Sequence, residues 1–237
     1  MTANAASPAQ GVRARVRQEM RVEILRAARR HLAEEGAAGL SFRAVARDVG
    51  LVSSAVYRYF PSRDALLTAL IVESYDALGE AVERREADVP RDRYADRYRA
   101  VGRAAREWAD TEPRQWALIF GSPIPGYAAP RDTVGPATRV PVVLARLLAD
   151  AHAAGAVTRR DDVLAPALHD ALLLRSVFQA DVPDELLVRG LIAWTYVLGS
   201  VSAQLFGHRH QVIADDAFAT VFDVELDRMV ELVGLPA

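Results

Sequence analysis

The stretch that decides the fold is Ser41–Leu67, "SFRAVARDVGLVSSAVYRYFPSRDALL". Its centre, "SSAVYRYFPSR" at 53–63, crowds two tyrosines, a phenylalanine, two arginines and three serines into eleven residues. Ser41 is placed to cap a short helix whose Ala44, Val45 and Val49 turn inward. Gly50 ends that helix, since glycine enters left-handed backbone without a steric cost. Ser53 or Ser54 is placed to cap a second short helix reaching Phe60, and Pro61 stops it. Two short helices across a tight glycine turn form a helix-turn-helix. The second of them, 53–60, is then free to enter a DNA major groove while the first lies across it.

Arg43, Ser53, Ser54 and Ala55, with Ser41 beside them, fall at helix N-termini, near phosphates and base edges. Small residues at that leading end let the backbone approach DNA closely. Val56 and Phe60 belong to the core. Tyr57 and Tyr59 carry an apolar body and a polar tip, which suits hydroxyl contacts to phosphate. A tyrosine pair covering a small core would give the same pattern. Arg63, opening the next helix, is placed to hold a further phosphate. Such contacts anchor the protein rather than read sequence. Arg13, Arg15 and Arg17 lie ahead of this block and are expected in a flexible arm, either reaching the minor groove or backbone or serving as a solubilising tail.

Charge supports a polyanion partner at this end. All 29 cationic side chains of the 237-residue chain are arginine, and cysteine is absent. Residues 1–63 hold 11 Arg against 5 Asp and Glu, a net +6; the other 174 residues hold 18 Arg against 26 acids, a net −8. A basic block on an acidic body suits nucleic acid at one end. The arginine- and alanine-rich usage points to a GC-rich, bacterial genome. Without cysteine there is no disulfide framework or thiolate metal site, and a reducing compartment fits. Residues 1–12 lack the apolar core of a secretory signal. No window nears the roughly 18 consecutive apolar residues of a membrane span, so a cytoplasmic protein without a membrane partner is expected.

The rest of the chain also reads as helix. From Val12 to Glu35 apolar residues recur at Val16, Met20, Ile24, Ala27, Ala28 and Leu32, and Gly36 and Gly39 stop that first helix. Ser62 caps a long helix that begins "RDALLTALIVESYDALGEAVERRE". Further helices are expected near 92–111, 114–120, 133–154, 162–180, 184–206 and 215–233, the last two capped by Asp184 and Asp215. "GSPIPGYAAPRDTVGP", 121–136, is a stiff proline-rich loop. The fold expected is all-α: a disordered tail over 1–12, a three-helix helix-turn-helix domain over 13–62, and a larger helical domain over 63–237.

Residues 17–67 resemble the DNA-binding domain of TetR-family transcriptional regulators. Gly36, "SFRAVARDVGL" and "AVYRYFPSRDALL" carry the match, the last with the family's aromatic-x-aromatic-Phe element, a basic residue and Leu. Two positions depart from the pattern. The turn usually runs Gly-Val-Ser and here is Gly50-Leu51-Val52, moving the capping serine to Ser53 and re-registering the first turn of the recognition helix. The usual Lys is Arg63, which keeps the cation and adds a fork for phosphate. The resemblance implies a dimeric regulator binding double-stranded operator DNA, with a C-terminal domain that dimerises and takes a small effector.

In that C-terminal region Trp108, Trp116, Phe120 and Tyr127, with Phe178 and Trp194 farther along, are expected to line a mostly apolar effector pocket. His169, Arg175 and Gln179 would orient the ligand within it. Aromatic residues at helical spacing are equally ordinary core. "WALIFGSPIPGY" and "AWTYVLGS" resemble a recurring effector domain of such regulators, with Leu198 standing where a histidine is common. The helices near 184–206 and 215–233 carry apolar stripes suited to a four-helix dimer interface. A dimer would set its recognition helices about 34–36 Å apart, one DNA turn. An effector favouring another spacing would lower DNA affinity, with the fourth helix as lever.

No catalytic constellation is present in the sequence. It lacks Gly-x-Ser-x-Gly, a glycine-rich phosphate loop, His-Glu-x-x-His and any thiol nucleophile, so no enzyme and no cofactor are expected. His208, Arg209 and His210 followed by Asp215 and Asp216 only imitate a metal site, because the arginine between the histidines repels a cation. The expected function is a DNA-binding regulator, a repressor released by an apolar or amphipathic effector. The competing reading, kept open by Val52, is a helical interaction or small-molecule-binding dimer that has lost DNA binding.

Overall fold

The computed structural model describes residues 8–158 and 182–236, and these form helices and turns with no strand among them. Two compact units emerge. The first takes in the chain up to residue 73 together with 122–133, and the second holds 74–121 and the chain from 134 onward. The first unit therefore extends past residue 62 into the following helix and recovers a piece of the proline-rich loop.

The first unit is built from α1 (Pro8–Gly39), α2 (Phe42–Asp48), α3 (Ser53–Val56) and the opening turns of α4 (Arg63–Ala87). Ile24, Ala27, Ala28 and Leu32 of α1 are buried with Val45, Ala46, Val56, Phe60, Leu66 and Leu67, as the three-and-four spacing predicts. Each such leucine or isoleucine contributes about 1.5–3 kcal/mol by leaving water. Ser62 caps α4 as expected, its Oγ accepting from the Ala65 N–H at 3.0 Å.

Three expectations are corrected in this unit. Residues 8–12 are helical, and Arg13, Arg15 and Arg17 lie within α1 rather than on a flexible arm. The sequence there is rich in alanine, arginine and glutamine, good helix formers, and Pro8 sits where its missing N–H is harmless. Val52, not Ser53 or Ser54, is the N-cap of α3, and regular helix stops at Val56, continuing to Phe60 only as hydrogen-bonded turns. Ser41 holds the N-cap position of α2, but its hydroxyl makes no capping bond.

The turn itself is built as read. Gly50 takes φ 68°. Its N–H reaches Arg47 O at 3.1 Å and the Leu51 N–H reaches Ala46 O at 2.8 Å. This paired closure of a helix C-terminus requires a left-handed residue at its centre.

The second unit comprises the rest of α4, α5 (Tyr94–Thr111), α6 (Pro113–Phe120), α7 (Val134–Ala137), α8 (Arg139–Ala153), α9 (Asp184–Leu205) and α10 (Phe218–Val233). The expected 133–154 helix is interrupted at Thr138. Asp184 and Asp215 sit one residue inside their caps, Pro183 and Ala214, where a carboxylate still suits the N-terminal dipole. The helix expected at 162–180 lies outside the described residues.

α5, α8 and α10 all pack against α9. Tyr98, Val101, Leu147, Leu148, Leu186, Val197, Phe222 and Leu226 form the centre of that core. Three glycines act as sockets. A methyl on Gly102 would fall 2.4 Å from Leu226 Cδ2, one on Gly190 2.5 Å from Leu148 Cδ1, and one on Gly79 2.7 Å from Arg139 Nε. By length and composition α9 could cross a membrane, with mean hydropathy 1.5. In this unit it is a core helix: Leu186, Ala193, Trp194, Val197 and Val201 are buried.

One ionic network is buried in this unit. Arg97, fully enclosed, donates from Nε to Glu86 Oε1 at 2.6 Å and from Nη1 to Arg91 O at 3.0 Å. Its Nη2 lies 2.9 Å from Asp150 Oδ2, and Arg91 donates to both Glu86 oxygens. Desolvated charges require this many partners.

Candidate nucleic-acid interface

The recognition segment is fixed from two sides by residues of the first unit. Phe42, the first residue of α2, stacks on Tyr57 with ring centroids 4.7 Å apart and planes 12° from parallel. That contact holds the Tyr57 ring while leaving the residue about half exposed, at 52%. From α1, Arg17 Nη2 donates to Arg58 O at 3.1 Å and Arg21 Nη1 to Tyr59 O at 3.1 Å. The Arg21 guanidinium also lies 4.3 Å from the centre of the Phe60 ring, a cation–π contact.

The sequence-derived contact residues separate accordingly. Arg13, Arg15, Arg43, Ser54 and Tyr57 are exposed; Ser41, Ser53, Ala55 and Tyr59 are half-buried. Arg15 lies 3.6 Å from Glu19, an i,i+4 pair on α1. Arg63 is turned inward, donating from Nε to Leu40 O at 3.3 Å and from Nη2 to Ala37 O at 2.6 Å. It satisfies carbonyls where α1 ends, in place of the phosphate expected from sequence.

Four residues of this surface escaped the sequence reading: Phe42, Arg21, Arg47 and Arg58. Arg47 and Arg58 are exposed, and the charge count of residues 1–63 was the signal for both. Nothing local marks Phe42 or Arg21, whose partners lie 15 and 38 residues away. His31, buried on α1, bonds Asp48 Oδ2 of α2 through Nε2 at 3.0 Å, tying the two helices together.

The aromatic residues expected to line an effector pocket divide in three ways. Trp116 and Phe120 have ring centroids 4.6 Å apart, with Trp108 6.4 Å from Trp116 and Tyr75 5.8 Å from Phe120. Trp116 is fully buried and donates from Nε1 to Ser202 Oγ at 3.0 Å, which marks it as satisfied core. Trp108 lines an open groove of 540 Å³ with Ala81, Ala104, Arg84 and Glu107. Trp194 is buried in the same core. Tyr127 belongs to the first unit, where its hydroxyl bonds Thr68 Oγ1 at 2.9 Å. His169, Arg175, Phe178 and Gln179 lie outside the described residues.

The histidine pair does not converge. The His208 ring lies beside Phe206 and the His210 ring beside Phe218, while Arg209 pairs with Glu225. Ser200 Oγ donates to Glu225 Oε2 at 2.5 Å. Burial works against ionising Glu225, and the bonds from Arg209, Ser200 and Tyr196 outweigh it, holding its carboxyl below the usual range. Among the described residues no three His, Asp or Glu side chains gather as a metal site would require.

Residues 24–70 match the family model for bacterial regulatory proteins of the tetR family, and residues 98–229 match a tetracyclin repressor-like C-terminal domain. The chain is 40% identical over 226 residues to the HTH-type transcriptional regulator Rv1816 of Mycobacterium tuberculosis, spanning 94% of this chain and 96% of that protein. The solved structure of regulatory protein SCO4313 is similar at TM-score 0.73 and 30% identity, covering 92% of this chain and 98% of that one. The TetR-family regulator PfmR of Thermus thermophilus shares the fold at TM-score 0.56 and 17% identity, over 90% and 99% of the two chains. A helix-turn-helix unit with an exposed arginine- and tyrosine-bearing surface, followed by a larger helical unit, agrees with both matches. The chain belongs to the tetR family of bacterial regulatory proteins and is a DNA-binding transcriptional regulator.

Proposed function

We propose that this regulator is a homodimeric repressor that leaves its operator when an apolar or amphipathic small molecule binds the second unit. One observation carries the DNA half of the reading. The recognition segment is held by Phe42, Arg17 and Arg21, while Arg43, Arg47, Ser54, Tyr57 and Arg58 stay exposed around it. Several cations facing one polyanion give salt-dependent affinity.

The dimer is supported by the faces α9 and α10 leave uncovered: Leu191, Ile192, Tyr196 and Val224 are each at least 41% exposed. The effector is supported by the open groove of 540 Å³ that Trp108 lines with Ala81 and Ala104. An effector that prefers one conformation lowers DNA affinity by its differential binding, typically about 1–3 kcal/mol.

The test is fluorescence anisotropy on the DNA beside the protein's own gene, against random DNA, at two salt concentrations. Specific binding that weakens steeply with salt is expected. Equal affinity for both DNAs at both concentrations would remove operator recognition there. Sedimentation of the wild type and Ile192→Asp then checks the dimer, which the aspartate should dissociate.

A further inference from the structure

We infer that Val52 is a specificity-determining residue that reads the C5-methyl group of a thymine in the operator's major groove. The inference rests on the DNA-binding reading above and adds a chemical target to it. Val52 is 69% exposed, more than Val12, Val16 or Tyr57, the other large apolar residues exposed in the described part of the first unit. Its backbone, φ −77° and ψ 148°, is extended and sets it at the N-cap of α3. Leu51, just before it, is half-buried while Val52 is exposed, so the extended backbone leading into α3 turns Val52 outward.

An N-cap position normally holds an oxygen that accepts from free N–H groups of the first turn. Valine has none, so the side chain does no capping, and nothing in its own unit covers it. What remains is its position: the leading end of a recognition helix is the part that meets base edges. An isopropyl group can neither donate to a phosphate nor bond a polar base edge. The thymine methyl is the apolar group that the major groove presents, and contact with it removes both surfaces from water. Ser54 and Tyr57, exposed just beyond, carry the polar contacts.

The experiment uses the full-length protein. A duplex is selected from a random library, and each of its thymines is then replaced singly by deoxyuridine, which deletes only the methyl. Anisotropy should show wild type losing about fourfold in affinity at one thymine of each half-site, the worth of one buried methyl-sized group. Val52→Ser and Val52→Ala should bind the thymine duplex about fourfold more weakly and treat uracil and thymine alike there. Val52→Ala should melt with wild type, because the site is exposed, and Val52→Ser no lower, because serine adds the cap oxygen that valine lacks. A selected duplex with no uracil-sensitive thymine, or variants that keep the wild-type discrimination, would overturn the role of Val52 alone. A library that enriches no duplex would remove sequence-specific binding and the role of Val52 with it.

Discussion

The two units differ in how closely arginine meets carboxylate, although both also set it on main-chain carbonyls, as Arg97 on Arg91 O and Arg189 on Val233 O in the second. In the first, arginines bond main-chain carbonyls: Arg17 to Arg58 O, Arg21 to Tyr59 O, Arg63 to Leu40 O and Ala37 O. Its contacts between arginine and carboxylate are looser, at 3.6 to 3.8 Å. In the second, arginines meet carboxylates closely, as in Arg85–Glu107 at 2.7 Å, Arg99–Asp227 at 2.7 Å, Arg103–Asp223 at 2.7 Å and Arg139–Glu83 at 2.6 Å. A carbonyl is neutral, so an arginine satisfied by one keeps its full charge. The same bond type that fixes the recognition segment also preserves the field that attracts DNA. In the second unit the pairs cancel charge between neighbouring groups.

Breaking a carboxylate pair should have the largest effect. Arg97→Met leaves Glu86 buried without its closest cation, and about 3–5 kcal/mol of stability should be lost. The chain's three tryptophans, Trp108, Trp116 and Trp194, all lie in the second unit, so their fluorescence in urea reports this directly. Adding Glu86→Leu should restore most of the loss. A single variant that unfolds like wild type would contradict the pairing.

Breaking a carbonyl contact should cost less stability but more function. Arg21→Gln removes the bond to Tyr59 O and the contact with Phe60, about 2 kcal/mol together. Specific DNA affinity should fall about tenfold, the ratio that some 1.4 kcal/mol of lost positioning gives. The salt slope should stay the same, because the Arg21 guanidinium is held on Tyr59 O and the Phe60 ring; a slope reduced by about 0.9 would make it a phosphate contact instead. Next in size, Gly50→Ala meets no atom within 4 Å, so its cost is left-handed backbone strain alone, about 1–2 kcal/mol in a thermal melt.

Acid separates the units most finely. Carbonyl acceptors do not titrate, whereas Glu225 ionises below the usual carboxylate range in the folded protein. Its stabilisation is complete above the ordinary glutamate value, about 4.3, and is lost as pH falls through the lowered folded value. Wild type should therefore lose its melting-temperature advantage over Glu225→Gln on acidification. The effect should be below about 1 kcal/mol for this partly solvated pair. An advantage independent of pH would remove the charge from the explanation.

Much of the architecture was legible because its signals are local. The spacing of Ile24, Ala28 and Leu32, the stop at Gly50 and the cap at Ser62 each depend on a few neighbouring residues. The destinations of long side chains were not legible. Arg63 was assigned to phosphate because sequence shows its charge but not that the end of α1 would present Ala37 O and Leu40 O. Arg17 was lost to an expected arm for a similar reason. Val52 took the cap from Ser53 because the extended backbone, not the hydroxyl, selects that position. Tyr127 joined the first unit through a bond to Thr68, 59 residues away, which periodicity does not encode.

The glycine sockets of the second unit bear on how this sequence can drift. Gly102 with Leu226, Gly190 with Leu148 and Gly79 with Arg139 are each a cavity and its occupant, drawn from distant parts of the chain. A side chain gained on the glycine is tolerated only if its occupant shrinks or withdraws, so neither partner is free to vary first without harm. Such pairs exchange together or not at all. A chain with a filled socket would be separated from this one by a step that passes, in either direction, through a clash or a cavity.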